Sequence, residues 1–221
     1  MSYYYNDNGN RGGGFLANIP VVTKNLLIIN VVMFLATLAG ERLLNTNVMT
    51  WFTLFYPTSI NFRFWQPVTY MFMHGGFWHL FFNMYALVIF GSVVERMIGE
   101  KKFLLFYLVC GLGAAALHLG FMSLKLGFSA PMLGASGAVY GVMIAYAMIF
   151  PQSKLTLLFP PVTLSAKWMV LIFAVIELVT GVTGTAEGVA HFAHLGGMLF
   201  GWLLILFWKR RGTLFSRDTW I

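Results

Sequence analysis

GASGAVYGVMIAYAMIF, residues 134–150, is the stretch that decides how this chain is read. It is apolar and uncharged up to Pro151, as a helix in lipid should be. Yet its head carries Ser136 between two glycines, Gly134 and Gly137. A second polar island, AHLGG at residues 193–197, heads another apolar run near the C-terminus. A serine and a histidine at membrane depth are costly, so each needs a partner or a task. Ser136 and His194 are the pair around which the rest of the sequence is read.

The surrounding chain supports a membrane setting. Of its 221 residues, 59% are hydrophobic and 10% charged, with a mean hydropathy of +0.77. Soluble domains are about 25% charged. Hydropathy and breakers predict six spans, near residues 25–39, 79–98, 103–122, 134–150, 168–182 and 189–208, so the fold class is an all-α polytopic bundle. The fourth is short, as suits a helix that begins below the membrane surface. A single cysteine, Cys110, excludes an intrachain disulfide and reads as an inert buried thiol. No cleavable signal peptide is visible in the polar first 25 residues.

The net charge of +7 could suggest nucleic acid, but its distribution reads as topology, and no nucleic-acid partner is expected. With a cytoplasmic N-terminus, the cytoplasmic segments carry Arg11, Lys24, Arg96, Lys101, Lys102, Lys154, Lys167, Lys209, Arg210, Arg211 and Arg217. The other side carries Arg42, Arg63 and Lys125. That bias predicts both termini in the cytosol. The expected organisation is a flexible cytoplasmic tail over residues 1–22, a six-span unit over 23–208 and a basic cytoplasmic tail over 209–221. The long first loop, Gly40 to Trp78, is rich in aromatic residues, including Trp51, Phe52, Phe55, Tyr56, Phe62, Phe64 and Trp65. Such a loop is expected to lie partly embedded at the interface.

This topology makes polar residues converge. Spans two, four and six enter from the non-cytoplasmic side, and their first turns carry His79 and Asn83, Ser136 and Tyr140, and His194. At 1.5 Å rise per residue these lie within roughly 10 Å of one another in depth. His79 and Asn83 are i,i+4, as are Ser136 and Tyr140, so each pair shares a helix face. Gly137 with Gly141, and Gly197 with Gly201, form small-xxx-small pairs that let backbones approach closely in lipid. Packing span four on span six through these glycines would set Ser136 beside His194.

The chemistry that fits is acyl transfer. A serine hydroxyl needs a base within hydrogen-bond reach, and His194 can fill that role and later protonate the leaving amine. His79, Asn83 and the Ser136 backbone N–H are suitable oxyanion donors. Tyr140, one turn below Ser136, could pack on the imidazole. No carboxylate partner is apparent, so a dyad fits better than a triad. The bland readings are structural: serine back-bonding to its own helix, and His79 and Asn83 as interhelical glue. His74 with His79, and His191 with His194, raise metal binding, but no H-E-x-x-H motif exists and Cys110 has no thiol partner. His191 and His118 read as packing or interfacial residues. Glu177, inside span five, is an intramembrane acid and so a functional candidate by default, but its place near the outer end, within reach of the interface, favours a structural role. Glu95-Arg96 reads as a cap at the cytoplasmic end of span two.

These residues resemble a known family. Residues 134–141 are similar to the G-x-S-G-x-x-x-G signature of rhomboid intramembrane serine proteases, residues 79–83 to their H-x-x-x-N element, and residues 193–201 to their A-H-x-x-G-x-x-x-G element. The order of the motifs, the six spans and the long first loop resemble the minimal bacterial form over about residues 20 to 208. The resemblance implies Ser136 as nucleophile, His194 as general base, His79 and Asn83 as the oxyanion hole, and Tyr140 as support under the histidine. It matches Glu95 and Gly99 to the family's acidic and glycine positions ending span two. It departs at Trp65-Gln66, where members often carry Trp-Arg; the nearest arginine is Arg63.

The expected function is an intramembrane serine endopeptidase that cuts transmembrane protein substrates in the bilayer, near their non-cytoplasmic end, without cofactor or metal. The location expected is a bacterial inner membrane. Span five, or the cap leading into span two, is the expected gate for lateral access. The alternatives are a non-catalytic rhomboid-like client binder and a transporter, though inverted repeats are not evident. Substrate identity and oligomeric state are not legible.

Overall fold

The computed structural model describes residues 14–124, 131–157, 161–184 and 190–215. Parts of both expected tails, Lys125 and the first residue of the sixth span, Val189, lie outside them. Helix α1 covers Val21–Leu43. The first loop then holds two short helices, α2 Val48–Phe52 and α3 Gln66–Thr69. Helix α4, Phe77–Ala86, passes through a π-turn at Leu87–Gly91 into α5, Ser92–Ile98. Helices α6 (Glu100–Leu124) and α7 (Ser136–Ile149) follow. A small antiparallel hairpin, β1 Lys154–Thr156 with β2 Thr163–Ser165, leads to α8, Ala166–Thr183, and α9, His191–Arg210. The hairpin is the one strand pair among the described residues of an otherwise helical chain.

Five of these helices are long and apolar enough to cross a bilayer: α1, the α4–α5 unit, α6, α8 and α9. Helix α7 is apolar but has 14 residues, about 21 Å at 1.5 Å per residue, short of the ~30 Å hydrocarbon core. The neighbours of α7 explain how so short a helix is held. It packs against α6 and α9, and its Gly137, Ala138, Val139, Gly141, Val142, Met143, Ala145 and Ala147 are all buried. By contrast α1 and α8 are peripheral: 22% and 28% of their apolar windows are buried, against 44% for α6 and α9. Leu171, Ile172, Val175, Ile176 and Val179 of α8 are exposed, a surface that water would penalise and lipid tails accept.

Close helix packing is set by glycine. A β-carbon added at Gly197 would lie 1.8 Å from the Gly137 carbonyl oxygen, and one at Gly201 would lie 3.0 Å from that of Gly141. One at Gly196 would meet the Gly113 carbonyl at 2.8 Å. Helix α9 therefore sits backbone-to-backbone on α7 and α6 at once.

Two polar anchors fix the periphery. The Glu95 carboxylate accepts from the Val22 N–H (2.8 Å), the Thr23 N–H (2.7 Å) and the Thr23 hydroxyl (2.7 Å). An acid on α5 thus caps the start of α1, satisfying orphan helix donors and meeting the positive end of the dipole. In the first loop the fully buried Gln66 accepts from the Phe55 N–H (3.2 Å) and donates to the carbonyls of Asn61 (2.9 Å) and Thr50 (3.2 Å). Trp65 donates to the Trp51 carbonyl and stacks on its ring.

Candidate active site

Three segments converge where α7 begins. The segment before it is held by the first loop: Leu54 and Met132 exchange backbone hydrogen bonds at 2.9 Å each way, and the Gly134 N–H donates to the Tyr70 carbonyl at 2.9 Å. Tyr70 is fully buried and donates its hydroxyl to the Gly111 carbonyl at 2.6 Å. Burial pushes its phenol up from the ordinary value, so it remains a donor at any physiological pH. Gly134 has φ +119°, a conformation that side chains rarely adopt. There the chain turns into α7 and places Ser136 at its first position.

The Ser136 hydroxyl lies 2.8 Å from Nε2 of His194. The imidazole is stacked on the Tyr140 ring, with centroids 4.4 Å apart and planes 12° off parallel. His194 is 8% exposed and Ser136 is half-buried, so the base is largely shielded from water while the serine keeps an open side. His79 borders the same space from α4. A β-carbon on Gly134 would lie 2.8 Å from His79 Nε2 and 3.6 Å from the Ser136 hydroxyl. The glycine therefore keeps the gap between serine and His79 open. The Gly75 N–H points at His79 Nδ1 across 3.4 Å, which favours the tautomer with its proton on Nε2, facing the gap. Asn83 donates one amide hydrogen back to the His79 carbonyl at 2.8 Å and has a second to offer. The Ser136 N–H is among those a helix leaves without an intrahelical partner.

Among the described residues the site holds one acid, which the sequence reading set apart. Glu177 of α8 accepts from the Tyr140 hydroxyl through Oε1 at 2.7 Å. Its Oε2 lies 2.6 Å from Nδ1 of His191 and 3.0 Å from Nδ1 of His194. The first is a hydrogen bond; the second lies at hydrogen-bond distance, off the line of the N–H bond. His191 also reaches the Thr180 hydroxyl at 3.1 Å. Depth would have found this acid. Glu177 lies six residues from the end of α8, about 9 Å below it, within the band that holds Ser136 and His194. The acid sits near the end of its helix, whereas the serine and the histidine sit near the starts of theirs.

Glu177, His191 and His194 could also hold a metal ion, since one ligand atom from each lies within 4.8 Å of the others. The 2.6 Å approach of Glu177 to His191 is a direct hydrogen-bond separation. It is shorter than the ~3.3 Å between neighbouring ligands on a tetrahedral zinc with ~2.0 Å bonds.

Beyond the site, Glu95 takes the capping place described above, at the far end of the same helical unit. The π-turn adds a residue to one turn between Asn83 and Glu95, rotating the Glu95 face toward α1. Gln66 is the hub of the first loop, and Arg63 donates to the carbonyls of Ile60 and Phe62 beside it. Cys110 is a buried free thiol against Gly141.

A family profile described as "Rhomboid domain" matches residues 61–211. The chain is 33% identical over 138 residues to "Rhomboid protein 1, mitochondrial" of Saccharomyces cerevisiae, covering 60% of this chain and 40% of that protein. It is 33% identical over 141 residues to "Rhomboid-type serine protease 2" of Emericella nidulans, covering 63% and 25%. Similarity to "Rhomboid protease AarA" of Providencia stuartii is 24% over 198 residues, covering 83% and 70%. The chain thus spans less than half the length of the yeast and fungal relatives.

Proposed function

Because this chain belongs to the rhomboid family, we propose that it is an intramembrane serine endopeptidase whose nucleophile is Ser136 and whose general base is His194. The observation that carries this reading is the 2.8 Å contact between the Ser136 hydroxyl and His194 Nε2, at the head of a helix buried in a multi-pass apolar bundle. The substrates proposed are transmembrane proteins, cut near the non-cytoplasmic end of their helix. A helix hides its carbonyls in i→i−4 hydrogen bonds, so locally weak helices are the expected targets.

The steps follow from the atoms in place. His194 Nε2 takes the Ser136 proton as Oγ bonds to the scissile carbonyl carbon. The carbonyl oxygen becomes an oxyanion, for which His79 Nε2–H, the free Asn83 amide hydrogen and the Ser136 N–H are the available donors. His194 then returns the proton to the nitrogen as the C–N bond breaks, releasing the amine fragment. Water, deprotonated by His194, attacks the acyl carbon; the Oγ–C bond then breaks, His194 returns the proton to Ser136 Oγ, and the acid fragment is freed. Tyr140 keeps the imidazole in plane by stacking beneath it. Helix α7 is proposed as the sixth span. The basic ends of α5, α6 and α9 support cytoplasmic termini, in a membrane proposed to be a bacterial inner membrane. Mitochondrial relatives make an organelle the other setting.

The test is cleavage of a labelled transmembrane substrate by purified protein in detergent. Ser136→Ala and His194→Ala are each expected to lower the rate by at least about a thousandfold, with labelling by a fluorophosphonate lost in Ser136→Ala. Unchanged cleavage in either variant refutes the assignment. Binding of substrate with no cleavage and no labelling by the unaltered protein would point to a client binder. Strong chelators are expected to leave the rate unchanged.

A further inference from the structure

We propose that Glu177 is a positioning residue that completes a Ser136–His194–Glu177 relay, holding the imidazole in the tautomer that catalysis needs; this rests on the dyad proposed above. For His194 to accept the serine proton, Nε2 must carry a lone pair, so in the neutral ring the hydrogen must sit on Nδ1. The group facing Nδ1 is the Glu177 carboxylate, with Oε2 3.0 Å away. An ionised carboxylate only accepts hydrogen bonds, so it favours the Nδ1–H form and disfavours the reverse. It also places a negative charge beside the ring that becomes an imidazolium when Ser136 is deprotonated. The proton moves from Ser136 Oγ to His194 Nε2 and on to the leaving nitrogen; Glu177 stays ionised throughout.

The surroundings are built to hold this carboxylate in place. It is 7% exposed, and a buried charge is costly unless it is paired and hydrogen-bonded. Oε1 is taken by the Tyr140 hydroxyl at 2.7 Å and Oε2 by His191 Nδ1 at 2.6 Å. Tyr140 therefore touches His194 twice over, through its ring face directly and through its hydroxyl by way of Glu177. His191, one helical turn before His194, also anchors the acid, and Thr180 on α8 contacts His191 in turn at 3.1 Å. The serine, the base and the acid come from α7, α9 and α8 respectively. The off-axis 3.0 Å contact with His194 is the longest of the three made by the carboxylate, as catalytic hydrogen bonds often are before substrate binds.

The same carboxylate could be purely architectural, tying the peripheral α8 to α7 and α9. The decisive variant is Glu177→Gln, which keeps size and hydrogen-bonding capacity but removes the charge and offers a donor to the imidazole. A fall in kcat of about a hundredfold or more is expected, with KM within about twofold and melting temperature little changed. Glu177→Asp, which restores the charge on a shorter stem, is expected to recover at least about tenfold of that loss. Wild-type kcat in Glu177→Gln overturns the proposal. So does a loss shared equally by both variants and matched by lowered melting temperatures.

A measurement on the unaltered protein covers the case in which Glu177→Gln does not fold. Nitrogen-15 NMR of labelled histidine at pH 8, with the His194 signals assigned by their loss in His194→Ala, should show the hydrogen on Nδ1. A hydrogen on Nε2 overturns the proposal. So does activity that falls on chelation and returns with zinc, because Glu177 would then be a metal ligand. Cleavage retained in Ser136→Ala or His194→Ala would instead refute the dyad, which separates the two failures.

Discussion

His74 shows how a residue can be chemically silent at neutral pH and costly in acid. It lies outside the membrane-spanning helices, 3% exposed, with its ring edge-on to His79 at 5.0 Å. Burial, helped by the neighbouring His79, holds its imidazole down at about 4 from an ordinary 6.5. The unfolded chain therefore takes up this proton first as pH falls. The stabilisation is complete above about 6.5 and is lost between 6.5 and 4. A loss of about 2 kcal/mol is expected between pH 7 and pH 4.5. Melting curves of His74→Phe should be flatter over that window than those of the unaltered protein; equal slopes would exclude His74 as the source. At this scale the sequence was readable where motif and depth coincide, as for Ser136, His194 and His79. Glu177 and Gln66 were named without their partners, which are distant in sequence: His191 and Tyr140 for one, Phe55 and Thr50 for the other.

Helix packing is where single methyl groups decide the outcome. Gly197 has no room for a β-carbon, which would fall 1.8 Å from the Gly137 carbonyl. Gly120 of α6 has nothing within 4 Å of the same position. Gly197→Ala is therefore expected to force α9 off α7, separate Ser136 from His194 and abolish cleavage, with a melting temperature lower by roughly 10 °C or more. Gly120→Ala, at an open helical position, should leave both unchanged or raise stability slightly. A Gly197→Ala protein with full activity would mean that this helix contact does not set the site. Glu95→Ala makes a second test, since it strips the cap from α1 and orphans its donors. A loss of about 2–3 kcal/mol is expected, read by thermal melting. The helices themselves were legible to within a few residues, because apolar length is a strong signal. The π-turn at Leu87–Gly91 and the β1–β2 hairpin were not, since neither disturbs the hydropathy.

The molecule as a whole is a multi-pass bundle in which α7, shorter than the five membrane-length helical units, carries the candidate nucleophile. Whether α7 crosses the membrane decides which side the β1–β2 hairpin occupies. With α7 as a span, Lys154 faces the cytoplasm and Ile60, 89% exposed in the first loop, faces the opposite side. The native thiol Cys110 is buried, so single cysteines can be read against a low background. An impermeant maleimide applied to intact cells should label Ile60→Cys and spare Lys154→Cys until the membrane is opened. Labelling of both without opening would place the hairpin outside and remove α7 from the count of spans. Orientation is an expectation from the basic residues, because charge resists transfer across lipid, and this labelling tests it. The joining of the first loop to the site through the Leu54–Met132 pair was not legible, because backbone pairing leaves no mark on side-chain composition.

The contact between Gly197 and Gly137 also limits how this protein can change over generations. An alanine at 137 would run into the side chain of Ala114, 2.5 Å away, and a glycine at 114 would remove that obstacle. Position 137 thus has a two-step escape by compensation. An alanine at 197 meets a carbonyl of the main chain, which every amino acid carries. No second substitution can erase it, so position 197 can vary only if the two helices drift apart and give up the pairing of Ser136 with His194.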